Sequence, residues 1–232
     1  MSIPEAVRDL ERDLRGVFGT RLQSLVEYGV PGHAHGAPRT MALVASLTEQ
    51  DLRGCAARVA AWHAAGLATP LIFPIEEFER SLDAFPLEFA AIQADHTLVS
   101  GAEPFAHRTV EASDLRRACE VQARSHLLHL REGFLEAAGN ANALAILVVE
   151  SAAPLGALLT SVARLEGRSP GDAPAAGRHV EHVLGVTGGS VSDVAALARV
   201  HEISAADAER LFPPYLAALE RLVEYVDGWG SQ

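Results

Sequence analysis

The sequence predicts an α+β protein in which a half of alternating strands and helices is followed by an all-helical half. Short apolar runs separated by helical segments continue to about residue 110. From residue 113 onwards the apolar residues recur at helical spacing in long segments. Apolar residues make up 49% of the 232 residues, enough for a sizeable buried core. We therefore expect two domains, residues 1–112 and 113–232.

The first half has the pattern of a small sheet interleaved with helices. Helices are predicted over residues 5–19, 48–65 and 74–78. Strands are predicted over residues 22–28, 40–47, 71–73, 87–94 and 96–100. Thr48 is followed by acidic residues, which is typical of a helix N-cap, and Gly66 marks the end of that helix.

The second half has the pattern of a helical bundle. Its helices are predicted over residues 114–138, 141–166, 174–186, 190–200 and 204–227. Ser113 and Ser204 are expected to cap the first and the last of them. Pro154 should kink or divide the second helix, because proline cannot donate a backbone hydrogen bond.

The charges exclude several kinds of function. All nineteen cationic residues are arginine, so chemistry that needs a lysine, such as a Walker-type phosphate loop or a Schiff base, is excluded. The net charge is −11 and the arginines are scattered along the chain. A protein that binds extended nucleic acid needs a concentrated positive face, and this chain has none in its sequence. A short RNA end or a mononucleotide stays compatible with the composition.

The sequence shows neither a secretory signal nor an apolar run of about 18 or more uninterrupted residues. We therefore expect a cytoplasmic protein that does not associate with a membrane. Cys55 and Cys119 lie far apart in sequence on predicted helices, and we expect buried thiols there rather than a disulfide.

Several short motifs occur in an order that is typical of a known protein family. They lie at residues 26–29, 41–47, 70–73, 81–89, 96–104, 115–120 and 128–131. The most specific is Asp83-Ala84-Phe85-Pro86-Leu87-Glu88-Phe89. Over about residues 10–135 the chain resembles bacterial nucleotidyltransferase-like proteins that have an all-helical C-terminal half. This resemblance implies a small mixed sheet with flanking helices and, in active relatives, transfer of a nucleoside monophosphate from a triphosphate to an alcohol.

The chain departs from that family at the residues that carry the chemistry. In an active member a Gly-Ser pair ends the first strand, and an Asp-x-Asp pair at the start of the second holds two metal ions. Here Val30 follows Gly29 in place of the serine, and Thr40 and Ala42 stand where the two acids would be. We therefore expect no metal site in the chain, and Mg²⁺ together with a nucleoside triphosphate only if the protein is active.

The resemblance places a candidate pocket around the turn after the first strand. Its expected lining is Gly29, Val30 and the rest of the loop 30–38, Thr40 and Glu88. Glu88 would be the general base in an active enzyme and otherwise a structural carboxylate on a strand. His33 and His35 in the loop could ligate a metal, but no third or fourth ligand accompanies them, so a solvated loop is the favoured interpretation.

The helical half contains two further features. Arg124 and His129 resemble the arginine–histidine motif of helical prokaryotic ribonucleases, although such a pair also arises by chance in arginine-rich helices. Residues 143–162 contain many small side chains that would allow close helix contact, either within the molecule or in a homodimer.

Three functions follow from the sequence. The favoured one is a nucleotidyltransferase-fold protein with a degenerate metal site, serving as a non-catalytic nucleotide-binding or regulatory module. The alternative is a divergent active transferase that modifies a hydroxyl group of a small molecule or a protein, with Glu88 as its base. The weakest is a ribonuclease-like activity at Arg124 and His129.

Overall fold

The structure is a computed structural model that describes residues 3–29 and 37–229. Val30, His33 and His35 of the candidate pocket lie outside the described residues. The chain divides into two compact units, Met1–Glu111 and Ala112–Gln232.

The first unit contains a four-stranded mixed sheet with strand order β3-β2-β1-β4. The strands are β1 (Leu22–Tyr28), β2 (Arg39–Val44), β3 (Leu71–Pro74) and β4 (His96–Gly101). Strand β1 is antiparallel to both β2 and β4, whereas β2 and β3 are parallel. The helices of this unit are α1 (Glu5–Phe18), α2 (Glu49–Ala56), α3 (Val59–Ala64), α4 (Ile75–Ser81) and α5 (Pro86–Ala94). The predicted fold class, a small mixed sheet with flanking helices followed by a helical half, is confirmed.

The sheet is covered on both faces because apolar residues alternate along its strands. On the first face, Leu25 and Ala42 pack with α1 residues such as Leu10 in one core cluster. On the second face, Val26 and Met41 belong to a cluster that includes residues of α4 and α5. Successive residues of β1 and β2 therefore point into two separate cores, and this alternation decides which side chains can meet at the candidate site.

The predicted strand over residues 87–94 is wrong, because this segment forms helix α5. Pro86 lies in the first turn of that helix. The N–H groups of a first turn have no partner within the helix, so a proline there costs no helical hydrogen bond. The buried positions Pro86, Phe89 and Ala90 recur at helical rather than strand spacing. Short apolar runs are ambiguous between the two structures, and Glu88 accordingly lies on a helix and not on a strand.

The single helix predicted over residues 48–65 is divided into α2 and α3. Its start is as predicted, since Thr48 caps α2 and forms a capping box with Asp51. The division follows Gly54, a poor helix former whose carbonyl accepts a hydrogen bond from the Arg58 side chain at 2.6 Å.

The second unit is all-helical. Its helices are α6 (Ala112–Ala137), α7 (Ala141–Leu165), α8 (Ala173–Leu184), α9 (Ser190–Ala196) and α10 (Ala205–Gly228). Ser113 lies inside the first turn of α6 and does not precede it, so its predicted role as a cap is wrong, whereas Ser204 does cap α10. Pro154 does not divide α7, which runs without a break through that position.

Helix α7 is the one described helix that is long and apolar enough to cross a membrane. Half of its most apolar stretch is nevertheless buried inside the molecule, and Leu155, Leu158 and Leu159 are completely buried. A helix that is apolar on nearly all sides and enclosed by other helices is typical of a protein core.

Candidate functional site

The candidate site lies where β1 ends and β2 begins. Tyr28 pairs with Arg39 across these strands, and Glu27 pairs with Thr40. On the other side of β1, His96 and Thr97 of β4 stand opposite Tyr28 and Glu27. Directly paired residues of antiparallel strands project from the same face. The sheet therefore presents Thr40, Glu27 and Thr97 on its first face, and Arg39, Tyr28 and His96 on its second.

The two positions that would carry metal-binding acids are enclosed in the protein. Thr40 is 1% exposed and Ala42 is fully buried beside Leu25. The Thr40 hydroxyl oxygen is buried and has no hydrogen-bond partner within residues 3–29 and 37–229. Neither side chain carries a charge, and Mg²⁺ needs carboxylates together with phosphate oxygens. Among the residues that the structure describes, no group of three or more His, Cys, Asp and Glu side chains could hold a metal ion. These residues do not fit a pair of divalent ions.

Glu88 is exposed in the first turn of α5 and lies on the side of the sheet opposite the Thr40 side chain. Its neighbours Phe89 and Ile92 pack with Val26 and Met41 on the second face. Thr40 projects to the first face because it neighbours Met41 in the strand. The structure therefore does not bring Glu88 and Thr40, two of the expected pocket residues, to the same face.

Glu27 is a carboxylate on the strand next to Thr40, and the sequence patterns alone assign it no role. It is half-buried and directly opposite Thr40. Burial raises the pKa of the Glu27 carboxyl group, because removal from water disfavours the charged form. The alternation of Leu25 and Glu27 along β1 was the signal that could have placed this side chain beside Thr40.

The exposed Arg39 and the half-buried Tyr28 form a cationic and aromatic pair next to Gly29. The Arg39 guanidinium carbon lies 5.1 Å from the centre of the Tyr28 ring. Gly29 has φ +83°, and a Cβ atom added there would stand 2.9 Å from a guanidinium nitrogen of Arg39. Glycine is therefore needed for the backbone conformation and for the close approach of the arginine. Burial raises the pKa of Tyr28, and the nearby charge of Arg39 opposes this effect.

His96 links β4 to helix α5 before it and to the turn after it. Its Nδ1 lies 2.9 Å from the carbonyl oxygen of Ile92, and its Nε2 lies 2.7 Å from a carboxylate oxygen of Glu103. The same oxygen accepts a hydrogen bond from the backbone N–H of Phe105 at 3.3 Å. Both ring nitrogens are thus occupied, and His96 has a structural place beside the pair formed by Arg39 and Tyr28.

In the helical unit, Arg124 and His129 contact different carboxylates. Arg124 contacts Glu120 at 3.0 Å and Asp227 at 2.9 Å, and these two carboxylates raise the pKa of its guanidinium. His129 is exposed beside Glu132 at 3.3 Å. Glu120 and Asp227 would compete with a phosphate group for the Arg124 guanidinium.

The small residues of α7 are used at least partly inside the molecule. Ala145 and Ala152 are buried, and a Cβ atom on Gly156 would stand 2.8 Å from the Cβ of Ala173 in α8. Close helix contact through small side chains therefore occurs between α7 and α8.

No protein-family model matches the sequence, and no curated protein matches it. Among solved structures, the chain is similar to spectinomycin adenyltransferase AAD(9) from Enterococcus faecialis, determined with ATP and spectinomycin. The TM-score is 0.56 at 11% sequence identity, and the match covers 96% of this chain and 98% of the other. This likeness shows a distant nucleotidyltransferase-like fold.

Proposed function

We propose that the protein is a nucleotidyltransferase-fold module that binds a nucleotide without transferring it, and that it acts through binding or regulation. The observation that carries this proposal is the pair Thr40 and Ala42. Both stand where the family places its metal-binding acids, both are uncharged, and both are buried. The mixed sheet and the likeness to a structure that contains ATP support a nucleotide as the class of ligand.

Nucleotidyl transfer develops negative charge in its transition state, and an active enzyme must stabilise that charge. Metal ions bound by acids stabilise the transferring phosphoryl group by several kcal/mol. The Thr40 hydroxyl and the Ala42 methyl group supply no such charge, and Glu88 lies on the other side of the sheet from Thr40. A single half-buried carboxylate at Glu27 does not replace two acids on one strand.

The proposal is tested by measuring binding and transfer on the same preparation. Binding of ATP and GTP is measured by calorimetry with Mg²⁺ present, and transfer is followed as incorporation of labelled nucleotide into protein and into small alcohols. We expect binding without incorporation. Incorporation that disappears in Glu88→Gln but persists in the exposed control Glu76→Gln would establish an active transferase instead. Failure of both nucleotides to bind would overturn the nucleotide-binding proposal.

A further inference from the structure

We infer that Arg39, in place of divalent cations, supplies the positive charge that holds the phosphate groups of the nucleotide. This inference rests on the proposed function and specifies how the same site works. Polyphosphates need countercharge wherever they bind, and the acids that would recruit metal ions are missing from β2. The residue directly before the first missing acid is an arginine, whose charge is permanent.

Among the residues that the structure describes, no carboxylate pairs with the guanidinium of Arg39. Its one described side-chain partner is the Tyr28 ring, at 5.1 Å. Residues 30–36, which follow in the chain beyond Gly29, contain no Asp or Glu that could neutralise it. Most other arginines of the first unit instead pair with carboxylates, for example Arg21 with Asp51 at 2.7 Å and Arg53 with Glu49 at 2.6 Å.

The surroundings of Arg39 hold it in one place. The carbonyl of Pro38 accepts a hydrogen bond from the backbone N–H of Ala68 at 3.1 Å, which fixes the chain just before the arginine. The Tyr28 ring supports one side of the guanidinium group, and Gly29 lets it approach the backbone. A planar guanidinium that stacks on an aromatic ring keeps its N–H groups at its edge, and these N–H groups match the geometry of phosphate oxygens.

The position of this pair agrees with a ligand at the end of the sheet. Arg39 and Tyr28 are paired across β1 and β2 at the turn where the family resemblance places the pocket. Both lie on the second face of the sheet, away from the buried Thr40. The phosphate groups would therefore bind beside Tyr28 and Arg39 on the second face and need no access to the enclosed positions Thr40 and Ala42.

The experiment compares ATP binding in EDTA and in excess Mg²⁺ for the wild type, Arg39→Ala, Arg39→Lys and Arg53→Ala. The control Arg53→Ala removes the same charge from an exposed site on α2. We expect similar affinity of the wild type in both buffers and unchanged affinity for Arg53→Ala. Arg39→Ala should weaken binding about tenfold or more, since a hydrogen bond to a charged group is lost. Arg39→Lys should lie between, because it keeps the charge but loses the planar donor group.

A second probe separates the phosphate groups from the base. Inorganic tripolyphosphate should displace ATP from the wild type and should bind Arg39→Ala about tenfold or more weakly. The inference is overturned, while nucleotide binding stands, if ATP binds only with Mg²⁺, if Arg39→Ala binds as the wild type does, or if tripolyphosphate fails to compete. Absence of binding by both ATP and GTP in every buffer overturns the proposed function as well. Circular dichroism of each variant verifies that the fold is kept.

Discussion

His126 belongs to a partly buried chain of hydrogen bonds in the helical unit. Its Nε2 lies 2.5 Å from the Tyr215 hydroxyl, which donates to Ser151 at 3.2 Å. Ser151 in turn donates to the carbonyl of Val148 at 2.9 Å. This direction of donors assigns the proton of the neutral ring to Nε2. Burial lowers the pKa of His126 to about 4, with a smaller contribution from the charge of His129.

The lowered pKa predicts a loss of stability in mild acid. Between pH 6.5 and 4 the unfolded chain binds a proton at His126 more readily than the folded protein does, so the free energy of unfolding falls as the pH falls. The loss approaches about 3 kcal/mol near pH 4. Urea denaturation of the wild type and His126→Gln across this range measures it, with exposed His182→Gln as the control. Equal pH dependence in the wild type and His126→Gln would contradict the prediction.

The raised pKa of Glu27 predicts a change of stability with pH that is opposite in sign to the change predicted for His126. Its raised pKa means that the folded protein is destabilised by the charged carboxylate above that pKa and is relieved as the pH falls through it. Glu27→Gln should therefore be more stable than the wild type at neutral pH, and this advantage should shrink in acid. Thermal unfolding at several pH values measures the difference, with Glu150→Gln, an exposed residue in the middle of α7, as the control. A less stable Glu27→Gln at neutral pH would mean that a favourable contact holds the charge.

At the scale of elements, the capping box of α2 fixes one end of a short helix. The Thr48 hydroxyl accepts from the backbone N–H of Asp51 at 3.2 Å, and Asp51 accepts from the backbone N–H of Thr48 at 2.9 Å. Asp51 also accepts two hydrogen bonds from Arg21, each 2.7 Å long, which ties the helix to the segment before β1. The Arg21 and Thr48 donors hold the pKa of the Asp51 carboxyl well below its usual range.

Thr48→Ala should lower the free energy of unfolding by about 1 kcal/mol, because one backbone N–H of the first turn loses its acceptor. Chemical denaturation measures the change. Ser125→Ala, at an exposed position in the middle of α6, is the control and should have little effect. A loss of similar size in both variants would show that the cap itself contributes nothing.

The elements also show where sequence patterns are sufficient and where they fail. Strand β1 has its predicted bounds, residues 22–28, and a glycine follows its last residue. The helix α5 was mistaken for a strand because residues 87–94 are almost uniformly apolar and carry no clear period. Proline at the first position and three alanines were the local signals in favour of a helix.

At the scale of the molecule, the fold class could be predicted while the working parts of the site could not. That Thr40 and Ala42 stand where the family resemblance would place two acids is a matter of residue identity and is visible in the sequence. The burial of Thr40, the placement of Glu88 on the other side of the sheet, and the contact between Arg39 and Tyr28 depend on strand pairing and packing. Arg39 was missed for this reason, although its position next to Thr40 is plain in the sequence.

The division of the chain into two units predicts that residues 112–232 fold when expressed alone. Their core is built around α7, whose Leu159 is completely buried, so removal of Leu159 should leave a cavity. We expect a helical circular dichroism spectrum and cooperative thermal unfolding of the fragment. Leu159→Ala should lower its free energy of unfolding by about 2–5 kcal/mol, whereas Leu128→Ala, at a position that is 64% exposed, should cost far less. A fragment that unfolds without cooperativity, or one equally sensitive at both positions, would show that the helical half needs the rest of the chain to form its core.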